Sequence, residues 1–437
     1  MDAKAGDKAR ITTEDKEYEG ILMPNEETDS IVIKLDSGYN LGIGRKKVKK
    51  IEIIEKYAQK HESKSEVTHD KGKPTITILH TGGTIASKVD YRTGGVVARF
   101  SPEEILEMFP QLRDVANIKS SLIANMFSED MRFKHYSLMC KAIEEEIKSG
   151  ADGIILTHGT DTMAYTSAAL SFALGNVGIP VILVGSQRSS DRGSTDALVN
   201  LVCAAKFITK SDFAGVAICM HENESDESCL ILPSCKTRKL HTSRRDAFKP
   251  VNSKPIARVF FENDKIEFLQ EEYQKKDKKR KTIIKDKFEE KVAIIKAHPN
   301  MFPEQFEFFK NYKGLIIEGT GLGQAPVGVP NEISKIHEKN LFAIKELTKH
   351  GCVVVMTSQC IFGRVAMHVY SDAIDLVNAG VIPGEDMLSE TAFVKLAWLL
   401  GNFSKEESKK MVKENLRGEI NSRRTKDDYV KGIPFSE

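Results

Sequence analysis

One stretch constrains this chain more than any other: Ile76-Thr77-Ile78-Leu79-His80-Thr81-Gly82-Gly83-Thr84-Ile85-Ala86-Ser87. A short apolar run with β-branched residues reads as a buried strand. The two glycines that follow let the backbone turn sharply and bring N–H groups close to a ligand. In an open α/β sheet, ligands sit at the carboxyl ends of the strands, where Thr81 and Thr84 would stand. The same residues also fit a plain strand-to-loop turn capped by threonines, and the segment alone leaves both readings open.

At 437 residues the chain is too long for one ordinary domain, so two or three are expected. A hydrophobic share of 41% beside 29% charged residues describes a soluble globular protein able to form real cores. The net charge of +2 implies no commitment of the whole surface to nucleic acid or membrane. Cys140, Cys203, Cys219, Cys229, Cys235, Cys352 and Cys360 form no Cys-x-x-Cys pair, and their number is odd. Reduced thiols are therefore expected. No apolar stretch follows Met1 and no 18-residue apolar span occurs, so the expected address is cytoplasmic, with no membrane partner.

Residues 1–58 carry short strand patterns at Tyr18 to Met23, Ile31 to Leu35, Tyr39 to Ile43 and Val48 to Ile54. Their tight spacing predicts a small antiparallel β-barrel. Its basic run, Arg45-Lys46-Lys47-Val48-Lys49-Lys50, suits either contact with nucleic acid or a solvated edge that discourages strand aggregation. Residues 59–74 are polar and read as a linker. From Thr75, strand and helix signals alternate, which predicts a right-handed parallel α/β sheet over residues 75–287. The expected strands include Gly153 to Thr157, Val181 to Val184 and Val216 to Cys219. Expected helices are one opened by Ser101-Pro102-Glu103-Glu104, Tyr136 to Lys148, and Ala164 to Leu174. Glu271 to Lys287 is too charged for core and reads as an exposed hairpin or connection. A second βα series over residues 288–437 contains Val292 to Ile295, Leu315 to Ile317 and Val353 to Met356. A helix from Ala392 to Leu400 and another opened by Ser404-Lys405-Glu406-Glu407 close it.

His158-Gly159-Thr160-Asp161-Thr162-Met163 repeats the logic of the first loop: strand, glycine, hydroxyl, helix. Asp161 there suits helix capping as well as chemistry. Two hydroxyl-bearing strand ends facing one another in a parallel sheet point to a site more firmly than one does. A threonine hydroxyl is a poor nucleophile and needs a neighbour to take its proton. Lys239, in Thr237-Arg238-Lys239-Leu240-His241-Thr242-Ser243-Arg244-Arg245-Asp246, is a candidate base, although such a segment also suits a solvated loop.

The paired motifs Thr81 to Ile85 and His158 to Met163 resemble the signature loops of the bacterial-type L-asparaginase/glutaminase family, over about residues 75–403. The resemblance implies an α/β fold of two parallel-sheet asparaginase-like domains preceded by the small barrel. It implies that Thr84 is the acylated nucleophile and that Thr160, Asp161 and Lys239 form the second catalytic group. Ser128 and Glu129 match the loop that holds the amino-acid end of the substrate, and Tyr91 matches the tyrosine of the mobile flap. The barrel, the run His241 to Phe248 and the run Gly185 to Arg192 are similar to the D-subunit family of archaeal glutamyl-tRNA(Gln) amidotransferases. That likeness implies a glutaminase working with an E subunit that uses ATP and Mg2+ to amidate Glu-tRNA(Gln). Glutamine or asparagine would be the amide donor, contact with the tRNA would run mainly through the partner, and this chain would form a homodimer without metal or cofactor of its own. No Walker-type phosphate loop occurs in the sequence, which fits a kinase step on another chain. A free-standing L-asparaginase is the alternative.

Overall fold

The computed structural model describes residues 3–23, 29–36, 40–56, 70–82, 88–89, 96–97, 106–188 and 194–423. The first described sheet comprises β1 (Lys8–Thr13), β2 (Glu17–Leu22), β3 (Ser30–Lys34), β4 (Asn40–Gly44) and β5 (Val48–Glu55). It is antiparallel, in the order β4-β3-β2-β1-β5. Ala9, Ile11 and Ile33 are fully buried and form its small core with Leu22 and Ile43. The interior strand β1 escapes a reading of apolar runs because Lys8 and Arg10 alternate with Ala9 and Ile11. Register shifts between β1 and β5 at Lys8/Ala9 and Thr12/Thr13 mark irregularities of the kind that bend a strand. Arg45, Lys46 and Lys47 form one exposed 3-10 turn.

The second sheet has eight strands: β6 (Thr75–His80), β9 (Asn117–Leu122), β10 (Gly153–Thr157), β11 (Pro180–Val184), β12 (Gly215–His221), β13 (Ser228–Pro233), β16 (Ala257–Phe260) and β17 (Ile266–Phe268). Their order is β17-β16-β13-β12-β11-β10-β6-β9. From β9 to β12 every pair is parallel, as the alternating pattern predicts. The sheet then continues antiparallel through β13, β16 and β17. The link from His221 to Ser228 is too short for the crossover that a parallel partner requires. Every residue of β10 and β11 is buried, as expected of parallel strands covered on both faces. Ile154, Leu156, Val181 and Leu183 face one core, whereas Ile155, Ile182 and Val184 face the other. Helices α1 (Phe133–Lys148) and α2 (Met163–Ala173) cover the first face, and α3 (Ala197–Lys210) covers the second.

Two short hairpins leave this sheet. One pairs β7 (Lys88–Val89) with β8 (Val96–Val97), which flank Tyr91 in the sequence. The other pairs β14 (Thr237–Lys239) with β15 (Phe248–Pro250).

The third sheet is parallel, β18 (Val292–Lys296), β19 (Gly314–Gly319), β20 (Val353–Ser358) and β21 (Ile382–Pro383). Helices α4 (His337–Lys349) and α5 (Ser371–Asn378) lie on one face, and α6 (Ser389–Asn402) lies on the other. Helix α6 packs on α2, with Phe172 stacked on Trp398 at 5.5 Å between ring centroids, so one core serves both sheets. Residues 271–291 connect the sheets without regular strand or helix, through a turn at 278–280 and the bridge between Phe213 and Lys275. Trp398 Nε1 donates to the Lys285 carbonyl at 2.8 Å and anchors this connection. A buried ion pair, Lys236 Nζ to Asp386 Oδ2 at 2.6 Å, ties the base of the β14 hairpin to the third sheet. The capping box at Ser404 and Glu407 is formed in both directions.

Candidate active site

Strand β6 ends in a loop pressed onto its neighbour. Thr81 is fully buried, and its Oγ1 donates to the Thr157 carbonyl at 2.9 Å, locking the end of β6 to the end of β10. Gly82 has φ +103°, a region open to glycine and costly for other residues. A Cβ there would lie 2.7 Å from Met126 N and would strike the Met126 carbonyl. Glycine is thus required twice over, by its dihedral and by the close pass of the chain after β9. Thr84 and Tyr91 lie outside the described residues.

The second loop follows β10. Thr160 is half-buried and Asp161 exposed, immediately before α2. The cap residue of α2 is Thr162, and its own hydroxyl donates instead to the Ser128 carbonyl at 2.7 Å. Asp161 reaches across to Lys239, which sits at the end of β14. Lys239 Nζ lies 2.8 Å from Asp161 Oδ1 and 2.9 Å from Thr160 Oγ1. The lysine side chain is 14% exposed. It is therefore a shielded amine with one acceptor and one hydroxyl in reach, an arrangement that allows proton exchange between nitrogen and hydroxyl. Arg238, its neighbour, stands 3.4 Å from the buried Glu390 at the start of α6. Burial pushes the Glu390 carboxyl up and Arg238 opposes it.

The Ser128–Asp130 turn completes the described part of the site. Ser128 is buried, and a Cβ on Gly159 would lie 2.8 Å from its Cβ and 2.9 Å from its Oγ. Gly159 thus lets the turn approach the Thr160 loop, while Glu129 stays exposed. Thr160, Asp161, Lys239 and Ser128 meet at the carboxyl ends of β9 and β10, with Glu129 on the same turn as Ser128.

Two buried histidines stiffen the strand ends. His80 bridges Thr157 Oγ1 and Ser120 Oγ, each at 3.0 Å, and burial pushes its pKa down to about 4. His158 Nδ1 donates to the Gly159 carbonyl at 2.6 Å, which leaves Nε2 to accept from Thr166 Oγ1 at 2.8 Å. Burial lowers its pKa to about 4 as well, against the pull of the Gly159 carbonyl. Both are neutral imidazoles acting as struts rather than proton carriers at neutral pH. Sequence reasoning gave neither a role, since a histidine in a motif does not show whether it faces solvent. It named Gly185 only as the start of a family-like run and gave it no place behind Thr160, where a Cβ on Gly185 would lie 2.8 Å from Thr160 Cγ2. Among the described residues no group of three His, Cys, Asp or Glu side chains is placed to hold a metal ion. Nor is any helix there long and apolar enough to cross a membrane.

Three family models match this chain. They are the asparaginase N-terminal domain over residues 75–274, the glutaminase/asparaginase C-terminal domain over residues 291–412, and the GatD N-terminal domain over residues 3–54. The D subunit of glutamyl-tRNA(Gln) amidotransferase from Pyrococcus furiosus is 47% identical over 429 residues, covering 95% of each chain. The protein of that name from Methanococcus maripaludis is 44% identical over 421 residues, covering 95% of this chain and 98% of its own. Among solved structures, the thermostable L-asparaginase from Thermococcus kodakarensis superposes with a TM-score of 0.70 at 30% identity, over 80% of this chain and 100% of its own. L-asparaginase I from Vibrio cholerae gives a TM-score of 0.67 at 27% identity, over 80% of this chain and 99% of its own. With strand-end loops, a shielded lysine and an added N-terminal sheet all accounted for, the chain belongs to the family of glutamyl-tRNA(Gln) amidotransferase D subunits, on an asparaginase-type α/β fold.

Proposed function

We propose that this chain is the glutaminase component of an amidotransferase that converts Glu-tRNA(Gln) to Gln-tRNA(Gln). The observation that carries the reading is the contact of Lys239 Nζ with Thr160 Oγ1 and Asp161 Oδ1 at the mouth of two glycine-bearing strand ends. In this reading the Thr84 hydroxyl attacks the side-chain amide carbon of glutamine. Its proton moves through the Thr160–Lys239 pair toward the leaving nitrogen, the C–N bond breaks, and ammonia departs. Water then cleaves the acyl ester to release glutamate and restore the hydroxyl. Ser128 and Glu129 hold the amino-acid end of the substrate, and the flap over Lys88 to Val97 brings in Tyr91. Asp161 keeps the lysine aimed at Thr160.

The N-terminal sheet and the similarity along nearly the whole chain support a partnered enzyme, with ATP and Mg2+ used by the E subunit. The asparaginase structures support a second reading, a free-standing L-asparaginase. Release of ammonia from glutamine, measured with and without E subunit and glutamylated tRNA, separates the two. A coupled enzyme hydrolyses glutamine slowly alone and faster in the complex; coupling of about 1–3 kcal/mol gives roughly 5–150-fold activation. Equal rates, with brisk turnover of asparagine by the lone chain, would favour the free hydrolase. A glutamine pulse followed by mass spectrometry should place any acyl adduct on the Thr84 peptide. An adduct on the Thr160 peptide would exchange the two roles. The active form is proposed to be at least a homodimer, and light scattering that finds an active monomer would refute it.

A further inference from the structure

Lys239 and Thr160 come from separate elements, and a lysine has a long flexible stem. Proton exchange between them requires placement to within about 0.5 Å, so something must hold both backbones. On the Thr160 side, the support is Gly185, whose close pass to Thr160 Cγ2 puts the chain after β11 against the threonine methyl. Asn200 Nδ2 donates to the Gly185 carbonyl at 3.0 Å and to Asp196 Oδ2 at 3.2 Å. Asp196, fully buried, also takes the backbone N–H groups of Gln187 and Arg188 at 3.0 Å each. Both amide protons of Asn200 are thereby spent on acceptors, which leaves its Oδ1 to accept. His221 Nδ1 donates to that oxygen at 2.6 Å.

His221 ends β12, and the 222–227 loop that follows meets the loop carrying Lys239. Arg245 Nη1 donates to Asp226 Oδ1 at 2.6 Å, and Nη2 donates to the Glu224 carbonyl. Lys249 Nζ donates to the Glu222 carbonyl at 2.7 Å. The Arg245 side chain is 14% exposed. His221 Nε2 lies 3.2 Å from Asp226, but with Nδ1 already protonated this is a hydrogen bond only in the imidazolium form. Burial works against that form, so Arg245 is the group that holds Asp226. Leu240 N bonds the Ala247 carbonyl at 2.7 Å and closes the hairpin loop on itself.

We propose that Arg245 is a positioning residue for the Lys239–Thr160 pair. It fastens the 240–247 loop to the 222–227 loop, and through His221, Asn200 and Gly185 to the back of Thr160. The two ends of the pair are thus held by one closed frame, in which Arg245 is the more shielded fastening beside the more exposed contacts of Lys249 with Glu222 and Arg244 with Glu224. The inference rests on the assignment of Lys239 and Thr160 to the chemistry.

The test is ammonia release from glutamine by full-length Arg245→Ala, Arg245→Lys, Asp226→Ala and Lys239→Met, with melting temperatures alongside. Arg245→Ala is expected to lower kcat by up to about 10²-fold, the loss a displacement of roughly 1 Å produces, with KM unchanged. Arg245→Lys should recover part of it by keeping the bond to Asp226. Asp226→Ala should fall less, because the Glu224 carbonyl still holds the guanidinium, and adding it to Arg245→Ala should cost nothing more. An unchanged kcat, a loss confined to KM, or independent losses in the double variant would overturn the frame. Should Arg245→Ala fail to fold, Arg245→Lys and Asp226→Ala carry the same test through their split of kcat from KM. Near-native turnover by Lys239→Met would refute the assignment of the pair itself. An inactive Lys239→Met beside a fully active Arg245→Ala would refute only the frame.

Discussion

Lys239 Nζ stands 2.9 Å from Thr160 Oγ1, although the two residues are 79 positions apart in the chain. The threonine arrives on the loop after a buried parallel strand, and the lysine arrives on a hairpin that leaves the antiparallel end of the same sheet. Replacing Lys239 with Met removes the amine while keeping most of the stem. Turnover should fall by roughly 10²–10⁴, the range for loss of a positioned acid–base group, with substrate affinity retained. Steady-state kinetics on glutamine checks both halves of the statement.

Gly82→Ala should damage activity more than its size suggests. The residue holds φ +103° and its missing Cβ would run into the chain at Met126, so the β6 and β9 loops must part. The strain is about 1–3 kcal/mol. Relief by loop movement would displace the segment that leads to Thr84. A variant with native kcat and native melting temperature would show that the loops yield without consequence.

The neutral histidines make stability depend on acid. His80 and His158 are held near a pKa of about 4 when folded, below the ordinary 6.5. Between those values the unfolded chain takes up protons that the folded chain refuses. Stability is complete above pH 6.5 and declines as the pH falls toward 4, by about 1.4 kcal/mol per pH unit for each histidine. Urea midpoints measured from pH 7 to pH 4.5 should show this slope, and His158→Gln should lessen it. An unaltered slope in the variant would remove His158 from the account.

The buried pair that joins the β14 hairpin to the third sheet should be intolerant of half-removal. Lys236 and Asp386 side chains are 1% and 6% exposed, and Asp386 also accepts from Asn421 N at 2.9 Å and Asn421 Nδ2 at 2.8 Å. Burial lowers the Lys236 pKa, and Asp386 opposes that shift. Asp386→Ala would strand the ammonium and cost about 3–5 kcal/mol, whereas the double change Lys236→Met with Asp386→Leu should recover much of it. Denaturant unfolding of the three proteins decides, and a single-variant loss below about 1 kcal/mol would mean that water reaches the lysine.

Much of the framework was legible in one dimension because it rests on local physics. Runs such as Ile154 to Leu156 are apolar without alternation because both faces of a parallel strand are covered. Ser404 and Glu407 announce a helix because their partners lie within one turn. The glycine–hydroxyl loops at Thr81 and Thr160 could be found for the same reason: the turn and the chemistry share neighbouring residues. Long-range pairing is another matter. Strand β1 became interior only when β2 and β5 closed on either side of it, and its alternating charges carried no apolar run. The antiparallel placement of β13 and β17 follows from short links, whereas β16 comes after a long excursion through the β14–β15 hairpin and is placed by packing rather than by residue periodicity. Residue types and their order were enough to say which side chains could do proton chemistry and which segments would be strand or helix. Packing in three dimensions was needed to bring Lys239 to face Thr160, to make His80 and His158 neutral struts, and to join Arg245, Asn200 and Gly185 in one frame. Those facts depend on distance and on exclusion of water, and both are set by contacts between segments that the chain order keeps far apart.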